Sequence, residues 1–116
     1  MKILICEPHK RPYIKDIDHT LENLQEVVGG YIQALYLFDD DAAVICNEEG
    51  LLMGLEPNRI VDSYGVIFGT FFICGLTEDD FTGLTDEQIE QYSELYKKPK
   101  MFMRIADQII VISEYD

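Results

Sequence analysis

Short apolar runs closed by polar turns recur along the chain, and two stretches instead space their apolar residues three or four apart. Ile3, Leu4, Ile5 and Cys6 predict an opening strand that ends before Pro8 and the basic Lys10-Arg11-Pro12; residues 13–18 alternate as its partner strand. Thr20 is placed to cap a short helix in which Leu21, Leu24, Val27 and Val28 share a face. Gly29-Gly30 stops it by supplying the left-handed residue that helix ends favour. Residues 31–38 are rich in aromatic and apolar side chains, Asp39-Asp40-Asp41 makes a turn, and residues 42–46 follow as a strand. The polar Asn47-Glu48-Glu49-Gly50 is expected to return the chain through Leu51-Leu52-Met53 as a hairpin, with residues 54–59 a loop. Ile60-Val61 and residues 66–74 flank Asp62-Ser63-Tyr64-Gly65 as a second hairpin. The run 66–74 reads as the most buried strand, with Gly69 marking a bulge or a close backbone approach.

The clearest local signal follows. Thr85-Asp86-Glu87-Gln88 has the form of a capping box, with two acids at the positive end of the helix it starts. Leu84 and Ile89 occupy the positions of a hydrophobic staple, and Ile89, Tyr92 and Tyr96, with Leu95 alongside, form the apolar stripe. Lys97-Lys98 before Pro99 suits the negative end and stops the helix. Residues 101–105 and 108–113 predict two more strands. The run Ile109-Ile110-Val111-Ile112 needs a pairing partner, within the chain or from a second copy. The expected fold class is α+β: one domain over residues 1–116, an antiparallel sheet of hairpins with two helices packed against it, and residues 99–116 as a C-terminal strand extension.

Composition narrows the function. The chain has 116 residues, 22 acids against 9 Lys and Arg, and a net charge of −13, yet is 47% hydrophobic, a globule rather than a disordered acidic tail. Such acidity argues against direct binding to nucleic acid or to an anionic membrane. The longest apolar run, near residues 66–76, is interrupted by Gly69, Thr70 and Gly75 and falls short of a membrane span; the N-terminal run is strand-sized, without the form of a signal peptide. The expectation is a cytoplasmic protein. Cys6, Cys46 and Cys74 are odd in number and scattered among apolar neighbours, as small buried hydrophobes in a reducing compartment would be.

Five motifs carry a resemblance: Gly29-Gly30-Tyr31-Ile32, Cys46-Asn47-Glu48-Glu49-Gly50, Leu55-Glu56-Pro57-Asn58-Arg59, Gly69-Thr70-Phe71-Phe72-Ile73-Cys74-Gly75 and Leu84-Thr85-Asp86-Glu87-Gln88-Ile89. In that order they resemble the domain-of-unknown-function family 3846, small acidic proteins of Gram-positive gut bacteria, their phages and conjugative elements. The resemblance covers roughly residues 1–98 and leaves the tail from Pro99 unmatched. It implies a context, an accessory protein of mobile DNA, and carries over no catalytic residue.

The charge is unevenly placed. Between Asp16 and Tyr96 there are 18 acids and one base, Arg59, whereas the remainder holds 8 bases and 4 acids. A compact chain of this size is about 35 Å across, a length over which duplex DNA carries roughly 20 charges, so the charge is of comparable order. Asp39, Asp40 and Asp41, Glu48 and Glu49, and Glu78, Asp79 and Asp80 fall in loops, while Asp86, Glu87, Glu90 and Glu94 line a helix. With Asn58 and Arg59 these are the candidate partner-binding residues; the plainer reading is a solvated surface that keeps the protein soluble.

Catalytic readings find little support. Cys46 beside Asn47, with His9 or His19 as a base, lacks the local context of a nucleophile, and its acidic surroundings raise a thiol pKa. Cys6 and His9 have a metal-like spacing without a second ligand pair, and the Asp39 triplet lacks the spacing of a calcium loop. No glycine-rich phosphate loop is present, so no cofactor or metal is expected. Arg59 reads most simply as an ion pair fixing its loop, and Tyr13, Tyr31, Tyr36, Tyr64, Tyr92, Tyr96 and Tyr115 as core rim or partner surface. The leading expectation is a non-enzymatic acidic module that binds a protein, with a DNA-mimicking inhibitor of a nuclease or DNA-binding protein as its sharper form. The rivals are a small-ligand or enzymatic site near Asn58, Arg59 and Cys46, and a homodimer through the terminal strand from Ile109 to Ser113.

Overall fold

The structure is a computed structural model and describes residues 1–114. Among the described residues ten strands and two helices follow in the order β1 (Lys2–Cys6), β2 (Tyr13–Asp16), α1 (Leu21–Val28), β3 (Ile32–Leu35), β4 (Ala42–Asn47), β5 (Pro57–Val61), β6 (Gly65–Phe68), β7 (Phe71–Leu76), β8 (Phe81–Thr82), α2 (Asp86–Leu95), β9 (Lys100–Ile105) and β10 (Gln108–Glu114). The main sheet has the order β2-β1-β7-β4-β3, with β8 added to β7, and all its pairings are antiparallel. β5–β6 and β9–β10 are separate two-stranded sheets. The fold is α+β, as the pattern of runs and periods predicts.

Strand alternation divides the core in two. Ile3 and Ile5, Ala43 and Ile45, Phe72 and Cys74 face α1, where Leu24 and Val28 complete the cluster. Leu4 and Cys6, Val44 and Cys46, Phe71 and Ile73 face the other way, onto Tyr92 and Tyr96 of the α2 segment and Val61 and Ile67 of the β5–β6 hairpin. Both faces of the sheet are covered, which is why β4 and β7 read as unbroken apolar runs rather than alternating ones. Each fully buried Ile or Phe contributes about 1.5–3 kcal/mol of apolar transfer.

The local helix signals are realised. Thr20 Oγ1 accepts from the Asn23 N–H at 3.1 Å, and Gly29 ends α1 at φ 76°. At α2 the Thr85 N–H donates to Gln88 Oε1 at 3.0 Å and the Gln88 N–H donates back to Thr85 Oγ1 at 3.1 Å. Leu84 and Ile89 join the same cluster, whereas Leu95 turns out to solvent.

Four local expectations are corrected. Leu51-Leu52-Met53 form no strand: Asn47 Oδ1 captures the Glu49 N–H at 2.8 Å, consecutive turns follow, and all three apolar side chains are exposed. The expected loop at 54–59 contains most of β5, because the Asn58 amide reaches the Cys6 and Gly69 carbonyls at 2.8 and 2.9 Å and holds the segment against the sheet. The run 66–74 is two strands, not one. Gly69, at φ 87°, breaks it so that β6 pairs with β5 while β7 enters the centre of the main sheet. The short strand β8 has no apolar run to announce it. Among the described residues no helix is long and apolar enough to cross a membrane.

Candidate functional site

Antiparallel pairing carries the acidic turns to one end of the sheet. Ala42, the first residue of β4, lies opposite Gly75 near the end of β7, and Leu76 lies opposite Phe81 of β8. The turn before β4 (Asp39, Asp40, Asp41) and the turn after β7 (Glu78, Asp79, Asp80) are therefore neighbours, joined by the Leu76 N–H donating to the Asp41 carbonyl at 2.9 Å. The start of α2 completes the group. The Gln88 amide donates to the Asp41 carbonyl at 3.1 Å and to Asp40 Oδ2 at 3.3 Å, and the Tyr92 hydroxyl donates to the same Asp40 oxygen at 2.7 Å. Gln88 and Tyr92 are one helical turn apart and so reach the same turn.

The result is an open depression of about 490 Å³ lined by Asp39, Asp40, Asp41, Glu87 and Gln88 among others. It adjoins a second of about 510 Å³ lined by Tyr36, Glu78, Asp79 and Asp80; the two share Leu76, and among the described residues no lysine or arginine lines either. His19 lies 3.4 Å from Asp80. The hydrogen bond from Tyr92 is the main cause that holds the Asp40 carboxyl below the usual carboxylate range, with the Asp41 N–H and Gln88 assisting against its partial desolvation. Burial and that bond push the Tyr92 hydroxyl pKa up. The end is a negative field with carboxylate oxygens lining two open depressions.

The remaining candidates lie elsewhere. Glu48 and Glu49 follow β4 at its far end, about 20 Å from Asp41 along the strand. Asp86 and Glu90 are exposed on α2, Asp86 outside the lining of both depressions, and Glu94 near its C-terminus pairs with Lys97 at 2.7 Å. Asn58 and Arg59 are 0% and 1% exposed. Arg59 makes no ion pair among the described residues; its guanidinium is spent on carbonyls of Lys10, Asn58 and Tyr96 and on Asn58 Oδ1. The expected ion pair is thus replaced by an internal clamp, and burial lowers the Arg59 pKa.

Cys46 borders a depression of about 380 Å³ with Asn47, Leu51 and Tyr64, apart from the cleft of about 470 Å³ beside Arg59, Leu95 and Lys98. The structure does not bring Cys46 and Arg59 into one site. Burial pushes the thiol of Cys46 up to about 11, and those of Cys6 and Cys74 up to about 12, so all three stay protonated at neutral pH. Cys6 is sealed in the core while His9 faces solvent beside Glu56. Tyr13, Tyr31, Tyr36 and Tyr64 are exposed, Tyr92 and Tyr96 are buried, and Tyr115 lies outside the described residues. Sequence reasoning missed the tethering roles of Gln88 and Tyr92; their four-residue spacing on one helix face was the available signal.

Comparison with known proteins finds one family: the model of DUF3846, a domain of unknown function, matches residues 1–97. No curated protein and no solved structure matches the chain.

Proposed function

This chain belongs to the DUF3846 family, and on that premise we propose that it is a non-enzymatic, cytoplasmic interaction module that binds a basic surface of a protein partner. The observation that carries this reading is the meeting of Asp39, Asp40 and Asp41 with Glu78, Asp79, Asp80 and Glu87 at one end of the sheet, across more than thirty residues of sequence. A solubilising charge needs no such convergence and no tether, yet Asp40 is held by both Gln88 and Tyr92. Glu48, Glu49, Glu90 and Glu94 extend the negative field without sharing the depression. The accessory role in a mobile element is what the family resemblance implies.

The sharper form of the proposal has this end occupying the nucleic-acid groove of a host nuclease or DNA-binding protein. Support comes from the absence, among the described residues, of lysine and arginine from either depression, since a phosphate-like surface requires negative charge uninterrupted by cations. The test is capture of partners from host lysate by the tagged full chain at low and raised salt, with duplex DNA as competitor. The triple variant Glu78→Gln, Asp79→Asn, Glu87→Gln serves as control. Capture of a DNA-binding protein that salt and DNA both release, and that the variant loses, is the expected result. Capture indifferent to salt and to the variant refutes the acidic-end reading.

A further inference from the structure

The end of α2, β5 with the turn after it, and the base of the β9–β10 hairpin meet around an open cleft of about 470 Å³, a size in the range of small-ligand sites. Leu37 and Phe38 form its apolar wall, and the Tyr92 ring holds Phe38 at a centroid distance of 4.5 Å. Among the described residues it shares only Asp39 with the acid-rich depressions. Two of its acids are already paired, Glu94 with Lys97 and Glu114 with Lys100, whereas Lys98 makes no ion pair among the described residues. That leaves Arg59 and Lys98 against Asp39 and Asp62. The two acids are exposed and screened by water, while Arg59 is buried, screened far less, and has no carboxylate partner among the described residues. Tyr96 adds a donor. It is 5% exposed, and its hydroxyl makes no hydrogen bond among the described residues, where no sealed side-chain polar atom lacks a partner. The hydroxyl therefore meets water, and the cleft is the opening that Tyr96 lines. Burial pushes its pKa up, and Asp62, another residue of the cleft, adds to the shift, so the hydroxyl keeps its proton and donates.

We infer that this cleft binds a small organic acid with an apolar body: the Tyr96 hydroxyl and the Lys98 ammonium take the carboxylate, and the body lies against Leu37 and Phe38. The Arg59 N–H groups are already spent on oxygens of Lys10, Asn58 and Tyr96, so its part is a fixed positive charge behind the carboxylate rather than a further hydrogen bond. Two free donors suit a single carboxylate, whereas the oxygens of a phosphate call for more. A neutral or cationic ligand would leave the buried guanidinium uncompensated. The inference stands apart from the reading of the acid-rich end.

NMR titration of the full chain with 4-phenylbutyrate tests it, with 4-phenylbutyramide and 4-phenylbutylamine as neutral and cationic probes of the same shape. The carboxylate is expected to shift amides around the cleft, at residues 37–39, 59–63 and 94–98. A dissociation constant on the order of 1 mM is expected for a ligand of about a dozen heavy atoms. The amide and the amine are expected to bind about fivefold more weakly or worse. Lys98→Gln changes an exposed side chain, and Tyr96→Phe keeps the ring packed on Phe71. Each is expected to weaken the carboxylate about fivefold, since each removes one charge-assisted hydrogen bond. Lys15→Gln removes the same charge away from the cleft, and it and the triple variant of the acid-rich end are expected to bind like wild type. No shifts at about 20 mM carboxylate, shifts centred on another surface, equal binding of the amide, or a Lys98→Gln chain that binds like wild type each overturns the inference.

Discussion

The Arg59 guanidinium donates to the Tyr96 carbonyl from two nitrogens, Nε at 3.3 Å and Nη2 at 3.1 Å, and so binds β5 to the residue that ends α2. Nη2 also donates to the Lys10 carbonyl at 2.7 Å, and Nη1 to Asn58 Oδ1 at 2.7 Å. One buried cation therefore joins the loop after β1, the β5–β6 hairpin and α2 without a carboxylate partner among the described residues. A carboxylate there would bring a second charge to desolvate; carbonyls satisfy the planar fork without one.

Replacing Arg59 by Ala leaves those carbonyls unpaired around a cavity. The expected loss is about 3 kcal/mol, a fall of roughly 10 °C in melting temperature followed by circular dichroism. Arg59→Lys is expected to recover less than half of it, since an ammonium cannot span the same acceptors. Unchanged melting in both variants would show that the clamp does not support the fold.

Tyr92→Phe removes the hydroxyl that holds Asp40. The carboxyl of Asp40 is then expected to titrate closer to the ordinary value, measured by NMR. The folded pKa of Asp40 in the wild type is depressed, so its contribution is present above the unfolded pKa and is lost as pH falls through the lower folded value. The wild type is thus expected to exceed the variant by about 1 kcal/mol at neutral pH, a low figure because the carboxylate meets water. The gap is expected to narrow in acid; one that widens there contradicts the assignment.

The three thiols are buried and held protonated. A thiol reagent at neutral pH is expected to label none rapidly in the native chain and all three in guanidinium. Rapid native labelling of Cys46 would reopen its reading as a nucleophile.

Neutralising Glu78, Asp79 and Glu87 together relieves repulsion at the acid-rich end. In about 10 mM salt the triple variant is expected to gain roughly 1 kcal/mol over wild type, and the gain is expected to shrink at about 0.5 M, where screening acts over a few ångströms. A gain independent of salt would mean that the acids are not mutually repelling.

Elements whose information is local are legible in the sequence. The capping box at Thr85 and Gln88, the Thr20 cap and the Gly29 stop each depend on residues within one helical turn, so sequence spacing suffices. The hairpin of β1 and β2 follows from adjacent runs. Leu51-Leu52-Met53 misleads because an apolar triplet after a polar turn reads as a returning strand, while the turn that forms there is set by Asn47 and by Gly50 lying against the Phe68 carbonyl. The break at Gly69 is visible as a glycine, but its consequence, a change of sheet, depends on Asn58 holding the Gly69 carbonyl from eleven residues away.

The candidate site divides the same way. Every acid of the sheet end is plain in the sequence, and its count and sign follow from composition alone. That Asp39 to Asp41 meet Glu78 to Asp80 depends on β4 lying beside β7, a pairing between segments some thirty residues apart that no local spacing encodes. Asn58 and Arg59 show the converse: as polar residues in an expected loop they read as surface, yet they are buried because the carbonyls of Cys6, Lys10, Gly69 and Tyr96 converge on them. The sequence by itself determined the fold class, the helix ends, the apolar runs and the acidity, because each is a property of neighbouring residues or of a sum. Only the tertiary structure decided which acids share a surface and which polar residues leave it, because both are set by long-range strand order and by where backbone acceptors need a partner.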